Sequence, residues 1–493
     1  MKTIHTLAAV AAFAAAPLAA QTPGNSPVTE TELREHVAWL ADDAREGRLP
    51  GTPGETATAH YIARHLAAAG FVGGAADGGW YQPVPLVEYH NSRGSMSVRD
   101  ARGRAVALGE IAVRSPAGRG SAQGAPLVFV GHGVDAAGQV VAEVRGKIAV
   151  MLSAPRPGDN PMSASDRRAA LTRAGAAAVV ILPPANFPYE AFARQFLGRS
   201  MQLAARAGTA PAEVLVSADG GAALLRAGGV DPERASEMAA GDGFVSAPLS
   251  LTADIEAETH VRRYNSYNVV GRLPGRVASS GAVMIMGHWD HLGQCRPEGA
   301  EDRICNGAVD NASGIAVIIE AAERIGAGER PDRDVIVIAT TAEEQGLLGA
   351  YHWADNPTVP LERIVVNLNI DTVAIAPRGA PVAMVGRGTV PGLEAGVDAV
   401  ARSLGRTIDS DEEANAFIRR QDGWALTAKG VASIMAGGSF SDMALLTAFL
   451  EGPYHEPEDE LTDAVPLGGA ADDADLHVAL ARHFGSRAIY PQP

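Results

Sequence analysis

The sequence predicts an α/β protein: a mixed, mostly parallel central sheet flanked by helices, interrupted by a smaller inserted β-rich domain. Three observations carry this reading. After Tyr267, apolar runs of strand length (Val283 to Met286, Val335 to Thr340, Ile364 to Ile370) alternate with helical patterns such as Gly314 to Arg324. Continuous apolar strands are what a parallel sheet covered on both faces requires. Between about Pro116 and Leu251 the texture changes to short strands among abundant alanine and glycine, with no metal-ligand spacing. Finally, residue types that bind metals fall just past the ends of the later strands, where open α/β sheets place their ligand sites.

Along the chain, Lys2, the apolar run Leu7 to Ala16 and the small residues Leu18-Ala19-Ala20 read as an export signal over residues 1–20. That run is too short for a membrane span, and no later segment of spanning length lacks charges. A helix is expected from Thr29 to Leu40, capped by Thr29 or Thr31, and a second from Glu55 to Ala69, stopped at Gly70. Tyr61, Ile62 and Leu66 face inward on the second. Within the inserted stretch, strands are expected at Leu127 to Val130, Lys147 to Leu152 and Val179 to Leu182, with a helix over Asp166 to Ala174. His132, between two glycines, reads as a turn or surface residue.

Length and charge bound the function. With 493 residues and 46% hydrophobic content the chain can build sizeable cores in about two or three domains. A net charge of -16 without a basic block, and only 5% aromatics, exclude a nucleic-acid partner that would need phosphate tracking or base stacking. Cys295 and Cys305 lie in a polar loop and read as a disulfide in an oxidising compartment, with free thiols as the alternative.

The chemistry is concentrated in five segments: Gly287-His288-Trp289-Asp290-His291, Ala308-Val309-Asp310-Asn311-Ala312-Ser313-Gly314, Thr341-Ala342-Glu343-Glu344-Gln345-Gly346, Asn367-Leu368-Asn369-Ile370-Asp371 and Tyr454-His455-Glu456-Pro457. Histidine and carboxylate are the ligands of catalytic zinc, contributed here one at a time from successive strand ends. Asp290 follows His288 at i+2 and can hold the other ring nitrogen. Asp310 opens the next helix, where the dipole favours a carboxylate that can bridge two cations. Of the adjacent Glu343 and Glu344, one can bind metal while the other reaches the bound water. Five carboxylates in one cleft (Asp290, Asp310, Glu343, Glu344, Asp371) call for two divalent cations to offset them.

These motifs, with Glu46-Gly47-Arg48, Pro50-Gly51-Thr52-Pro53-Gly54 and Asn268-Val269-Val270-Gly271, resemble the di-zinc aminopeptidases of metallopeptidase family twenty-eight, of the exported bacterial kind with an inserted protease-associated domain. The resemblance implies a signal peptide over 1–20, a first catalytic part over 21–115, the insertion over 116–255 and the metal-binding part over 256–493. It also implies one zinc on His288, Asp310 and Asp371, a second on Asp310, Glu344 and His455, Glu343 as general base and Asp290 orienting His288. A cis peptide from Asp310 to Asn311, peptide substrates with a free amino terminus, and a periplasmic or secreted location are further implications. Two departures stand out: Arg420-Gln421-Asp422 where relatives often carry Arg-Ser-Asp, and a cysteine pair that is not general in the family. The sequon Asn311-Ala312-Ser313 reads as coincidence. The rival readings are a carboxypeptidase of the same superfamily, with Arg419 and Arg420 to hold a terminal carboxylate, a single-zinc aminoacyl cyclase, and a receptor-like module with a dead centre.

Overall fold

In the computed structural model, residues 23–491 are described apart from 136, 141, 155–161, 185–187, 208–211 and 242. The signal segment expected over 1–20 lies outside them. The chain divides into two compact units, one comprising residues up to Gln82, Asn268–Thr340 and Trp353 onward, the other Pro83–Tyr267 with Thr341–His352.

The first unit is built on a mostly parallel sheet. Strand Ala282–His288 lies at its centre, parallel to Asp334–Thr340 on one side and to Ile364–Asn369 on the other, and Ile364–Asn369 is followed in parallel by Ser433–Gly437. Ala383–Val385 closes one edge antiparallel, and the end of Ala247–Leu273 pairs antiparallel with Asp334–Thr340 toward the other edge. Every residue of Ala282–His288 and of Asp334–Thr340 is buried, as the apolar runs require. Helices Gly314–Ala327 and Leu467–Gly485 pack on each other and against the His288 strand, while Glu30–Leu40 and Pro53–Ala68 pack on Gly314–Ala327.

Local chemistry explains the helix ends. Thr29 forms a capping box with Glu32 at the start of Glu30–Leu40. Thr52 caps Pro53–Ala68, whose first residue is a proline with no amide hydrogen to lose. Gly70 follows with φ of 84°. Tyr61, Ile62 and Leu66 are all buried, as their spacing predicts.

The second unit begins earlier and ends later than the 116–255 stretch expected for the insertion, because it takes in most of two long strands, from Pro83 in one and up to Tyr267 in the other. These are Tyr81–Asp100 and Ala247–Leu273. The latter alternates in burial through Leu249, Leu251, Ala253, Ile255 and Ala257, a period-two signal visible in the sequence that the texture boundary cut across. The unit is less purely β than its texture implies. Arg119–Phe129, Ile148–Leu152, Ala178–Leu182 and Glu213–Val216 form a parallel set, accompanied by helices Ala164–Arg173, Tyr189–Leu197 and Ala218–Ala227. Alternate residues of these strands feed two separate cores: Leu127, Phe129 and Val150 in one, Val128, Ala149 and Met151 in the other. His132 does sit in a turn, but it is only 6% exposed, and its Nδ1 lies 3.0 Å from Ala154 O. It is a buried turn residue, not a surface one.

Candidate metal centre

The parallel register brings the strand ends of the first unit to one rim. His288 is the last residue of its strand and pairs with Thr340 in the next. Asp371 comes two residues after Asn369, the end of Ile364–Asn369. Asp310 lies in the turn Ala308–Ser313, with φ -107° and ψ 96°. It therefore precedes the regular helix Gly314–Ala327, where the sequence pattern had it opening that helix. The Asp310–Asn311 peptide is cis. His455 sits in the loop between Met443–Glu451 and Leu467–Gly485.

These side chains converge. His288 Nε2 is 3.2 Å from Asp310 Oδ1 and 3.4 Å from Asp371 Oδ1. His455 Nε2 is 3.4 Å from Asp310 Oδ2. His288 Nδ1 lies 3.2 Å from the backbone oxygen of Asp290 and 4.0 Å from its carboxylate. The expected orienting partner is thus the right residue, but its carbonyl is nearer than its carboxylate. A carbonyl only accepts, so Nδ1 carries the proton and Nε2 is left to face two carboxylates. Either an imidazolium or a cation must satisfy that arrangement, and a nitrogen with paired carboxylate oxygens is the donor set of a catalytic metal site.

Burial by itself would raise the Asp310 carboxyl, yet hydrogen bonds from His288 and His455 hold it well below the ordinary carboxylate range, helped by the nearby charges of His288 and His291. Asp422 behaves oppositely. It is buried, accepts a hydrogen bond from the Thr340 hydroxyl, and is pushed up to about 6 by burial, with Asp371 adding to the rise.

Three residues frame the ligand-bearing loops. The Asn311 side chain, fully buried, donates to Ile370 O at 3.1 Å and accepts from Gly314 N at 3.0 Å and Thr372 N at 3.2 Å. The amide that formally completes a sequon is engaged in tying the Asp310 turn to the Asp371 loop. Asp459 accepts from Val309 N at 2.9 Å and Asp310 N at 3.1 Å, and burial raises its carboxyl to about 6. Arg48, 1% exposed, donates to Trp289 O at 2.8 Å, Leu40 O at 2.9 Å, Asn306 O at 2.6 Å and Gly307 O at 3.0 Å. One guanidinium therefore spans the loops on which His288, Asp290 and Asp310 stand. The residue it grips last, Gly307, has φ of 59°, and a Cβ there would lie 2.2 Å from Asp310 O.

Sequence reasoning quoted Arg48 and His291 only within motifs and Asp422 only as a departure, and it passed over Asp459. A carboxylate four residues past His455 was the available signal for Asp459. His291, fully buried, has its ring centroid 5.8 Å from that of His455. The Cys295–Cys305 disulfide is formed.

Glu343 and Glu344 come three and four residues after Thr340, in a turn where Gly346 N and Leu347 N both donate to Glu343 O at 2.8 Å. Their segment groups with the second unit, in which Gln345 Oε1 accepts from Met201 N at 3.1 Å and the Thr341 and Ser266 hydroxyls are hydrogen-bonded.

Fold and centre together define an α/β protein with a metal-type donor set at the strand ends of its first unit. Residues 268–475 match the model of Peptidase family M28. It is 31% identical over 129 residues to Aminopeptidase YwaD of Bacillus subtilis (strain 168), covering 25% of this chain and 26% of that protein. It is 34% identical over 109 residues to a probable zinc metalloprotease of Pyrenophora teres f. teres (strain 0-1), covering 22% of this chain and 23% of the relative. The alignments thus span about a quarter of the length of these curated relatives. Among solved structures, an aminopeptidase from Aneurinibacillus sp. strain AM-1 superposes with a TM-score of 0.57 at 20% identity, covering 93% of this chain and 94% of that one. At that identity the likeness is one of fold.

Proposed function

We propose that this chain is an exported, zinc-dependent exopeptidase that removes amino-terminal residues from peptides. The observation that carries this reading is the Asp310 carboxylate, whose two oxygens face different histidines. Such a split suits a pair of ions, one on His288, Asp310 and Asp371, the other on Asp310, Glu344 and His455. Zinc is supported by the imidazole and carboxylate donors and by the name of the fungal relative. Amino-terminal trimming is supported by the name of the Bacillus relative. Glu343 and Glu344 enter on their place in the chain, three and four residues past the strand end that pairs with His288. When bound, the ions would lower the pKa of a water and polarise the scissile carbonyl.

The chain's own residues do the remainder. Glu343 takes the proton from the attacking water and returns it to the leaving nitrogen. Asp290 fixes the ring of His288 through the Nδ1 contact. Carboxylates in excess of those that offset the ions attract the free ammonium of the substrate. We assign the second unit to the protease-associated type and place the mature chain in the periplasm or outside the cell, on the sequence features given above.

One observation favours carboxyl-terminal trimming instead. Arg420 Nη2 lies 3.4 Å from the Tyr454 hydroxyl, and the Tyr454 ring stacks on His455 at 3.7 Å, so a guanidinium stands close to a candidate ligand. Paired assays separate the two readings. Hydrolysis of amino-acid p-nitroanilides and amidated peptides, but not of N-acetylated peptides, is expected, with loss of turnover in a chelator. Cleavage of N-acetylated peptides with a free carboxyl terminus would overturn the aminopeptidase reading.

A further inference from the structure

A second group of metal-binding side chains lies on the helical layer, away from the strand ends. His36 comes from Glu30–Leu40, His65 from Pro53–Ala68, and Glu320 and Glu323 from Gly314–Ala327. One ligand atom each from His36, His65 and Glu323 falls within 4.8 Å of the others. His36 Nε2 is 3.1 Å from Glu320 Oε1, and His65 Nδ1 is 3.2 Å from Glu323 Oε1. For ligands about 2.0–2.1 Å from a tetrahedral zinc, the edge between two of them is about 3.3 Å. The two imidazole–carboxylate pairs are already near that spacing.

We propose that His36, His65 and Glu323, completed by Glu320, form a second divalent-cation site of the zinc type that braces three helices of the first unit. The surroundings suit that role. His36 Nδ1 is 2.7 Å from the Tyr61 hydroxyl, an outer partner that fixes the ring so that Nε2 points at the carboxylates. Trp39 stacks on Tyr61 at 3.8 Å and 11°, holding the phenol in place. Arg324 Nη1 donates to Glu320 Oε2 at 3.0 Å, so one carboxylate oxygen is compensated while the other is left toward His36. Two carboxylates against one guanidinium leave a surplus negative charge for a cation to meet. The His36 and Glu320 side chains are 8% and 4% exposed, whereas His65 and Glu323 are 23% and 34% exposed, which gives the ion a route from solvent. Because the ligands sit on three different helices, bound metal would crosslink them, and the stabilisation would add to the fold without touching the strand-end centre.

The test uses the full-length protein, stripped with a chelator, reloaded with zinc and dialysed against metal-free buffer. Metal content by elemental analysis and the zinc-induced rise in Tm are measured for the wild type, His65→Ala and the near-isosteric Glu323→Gln. Both variants are expected to hold one ion per chain fewer than the wild type and to show a smaller zinc-induced rise in Tm, while peptide turnover stays at the wild-type level. Equal metal content and an equal rise in Tm in all three proteins would overturn the proposal. Failure of the peptidase reading would appear separately, as absent turnover in the zinc-loaded wild type.

Discussion

Asp310 and His455 meet on the side of the carboxylate that His288 does not use: Oδ2 lies 3.4 Å from His455 Nε2, while Oδ1 lies 3.2 Å from His288 Nε2. A carboxylate shared in this way couples the two halves of the centre. On the two-ion reading proposed above, Asp310→Ala is expected to weaken both ions, not one, and to lower kcat by at least about 10²–10³-fold, the scale on which a preorganised transition-state contact acts. Metal analysis that still finds full loading in this variant would remove Asp310 from the bridging role.

Glu343 is expected to separate chemistry from binding. Glu343→Gln keeps size and hydrogen bonding but cannot accept a proton, so kcat should fall by about 10²–10⁴-fold with metal content unchanged. Titration of bound zinc alongside steady-state kinetics checks it, and unaltered turnover would take the general-base assignment away.

Arg48 touches no substrate in this scheme. Its part is to hold Trp289 O, Asn306 O and Gly307 O together. Arg48→Lys retains the charge but not the planar fork. Its expected signature is weaker metal retention by about 10–100-fold, the range typical of outer-shell partners, together with a lower Tm. A chelator-competition curve that overlays the wild type would contradict this.

The Cys295–Cys305 crosslink closes the loop next to Asn306 and Gly307, and Cys305 Sγ lies 3.4 Å from His455 O. Serine at both positions is expected to lower stability by about 2–3 kcal/mol through loop entropy. It should also make activity more sensitive to chelator, since the two residues that directly follow this loop carry carbonyls gripped by Arg48. Identical denaturation midpoints with and without reductant would show that the crosslink contributes nothing.

Acid sensitivity should have a component remote from the metals. Burial lowers the His477 imidazole from 6.5 to about 4, against the pull of a hydrogen bond to Asp473 O. The unfolded chain thus takes up a proton near pH 6.5 that the folded chain refuses. The contribution is fully present above about pH 6.5 and is lost as pH falls toward about 4, reaching at most about 3 kcal/mol. His477→Gln should flatten the loss of urea midpoint between about pH 7.5 and about pH 5, and an unchanged slope would sink the assignment.

Much of this was readable before any coordinates. The strands ending at His288 and Thr340 announce themselves because a sheet buried on both faces needs uninterrupted apolar runs, and His288, Glu344 and Asp371 stand at or just past the ends of such runs. The helix cap at Thr29 is local chemistry and was legible for that reason, whereas the second helix starts at Pro53, capped by Thr52, two residues before its expected start at Glu55. Long-range satisfaction was not. That Arg48 would serve carbonyls about 240 to 260 residues further on, or that Asp459 would accept the amide of Asp310, depends on loop paths that no local pattern encodes. The strand Ala247–Leu273 failed to register for a different reason: its alternation was present, but a composition boundary was drawn through it.

The grip of Arg48 on Trp289, Asn306 and Gly307 also bears on how little of this protein could stand alone. A fragment trimmed to residues 268–475 would keep His288, Asp310, Asp371 and His455, yet would lack Arg48, whose guanidinium spans the loops on which His288 and Asp310 stand. The amino-terminal segment is thus a keystone rather than a preface, since Arg48 must reach Trp289, Asn306 and Gly307 before those loops are held together.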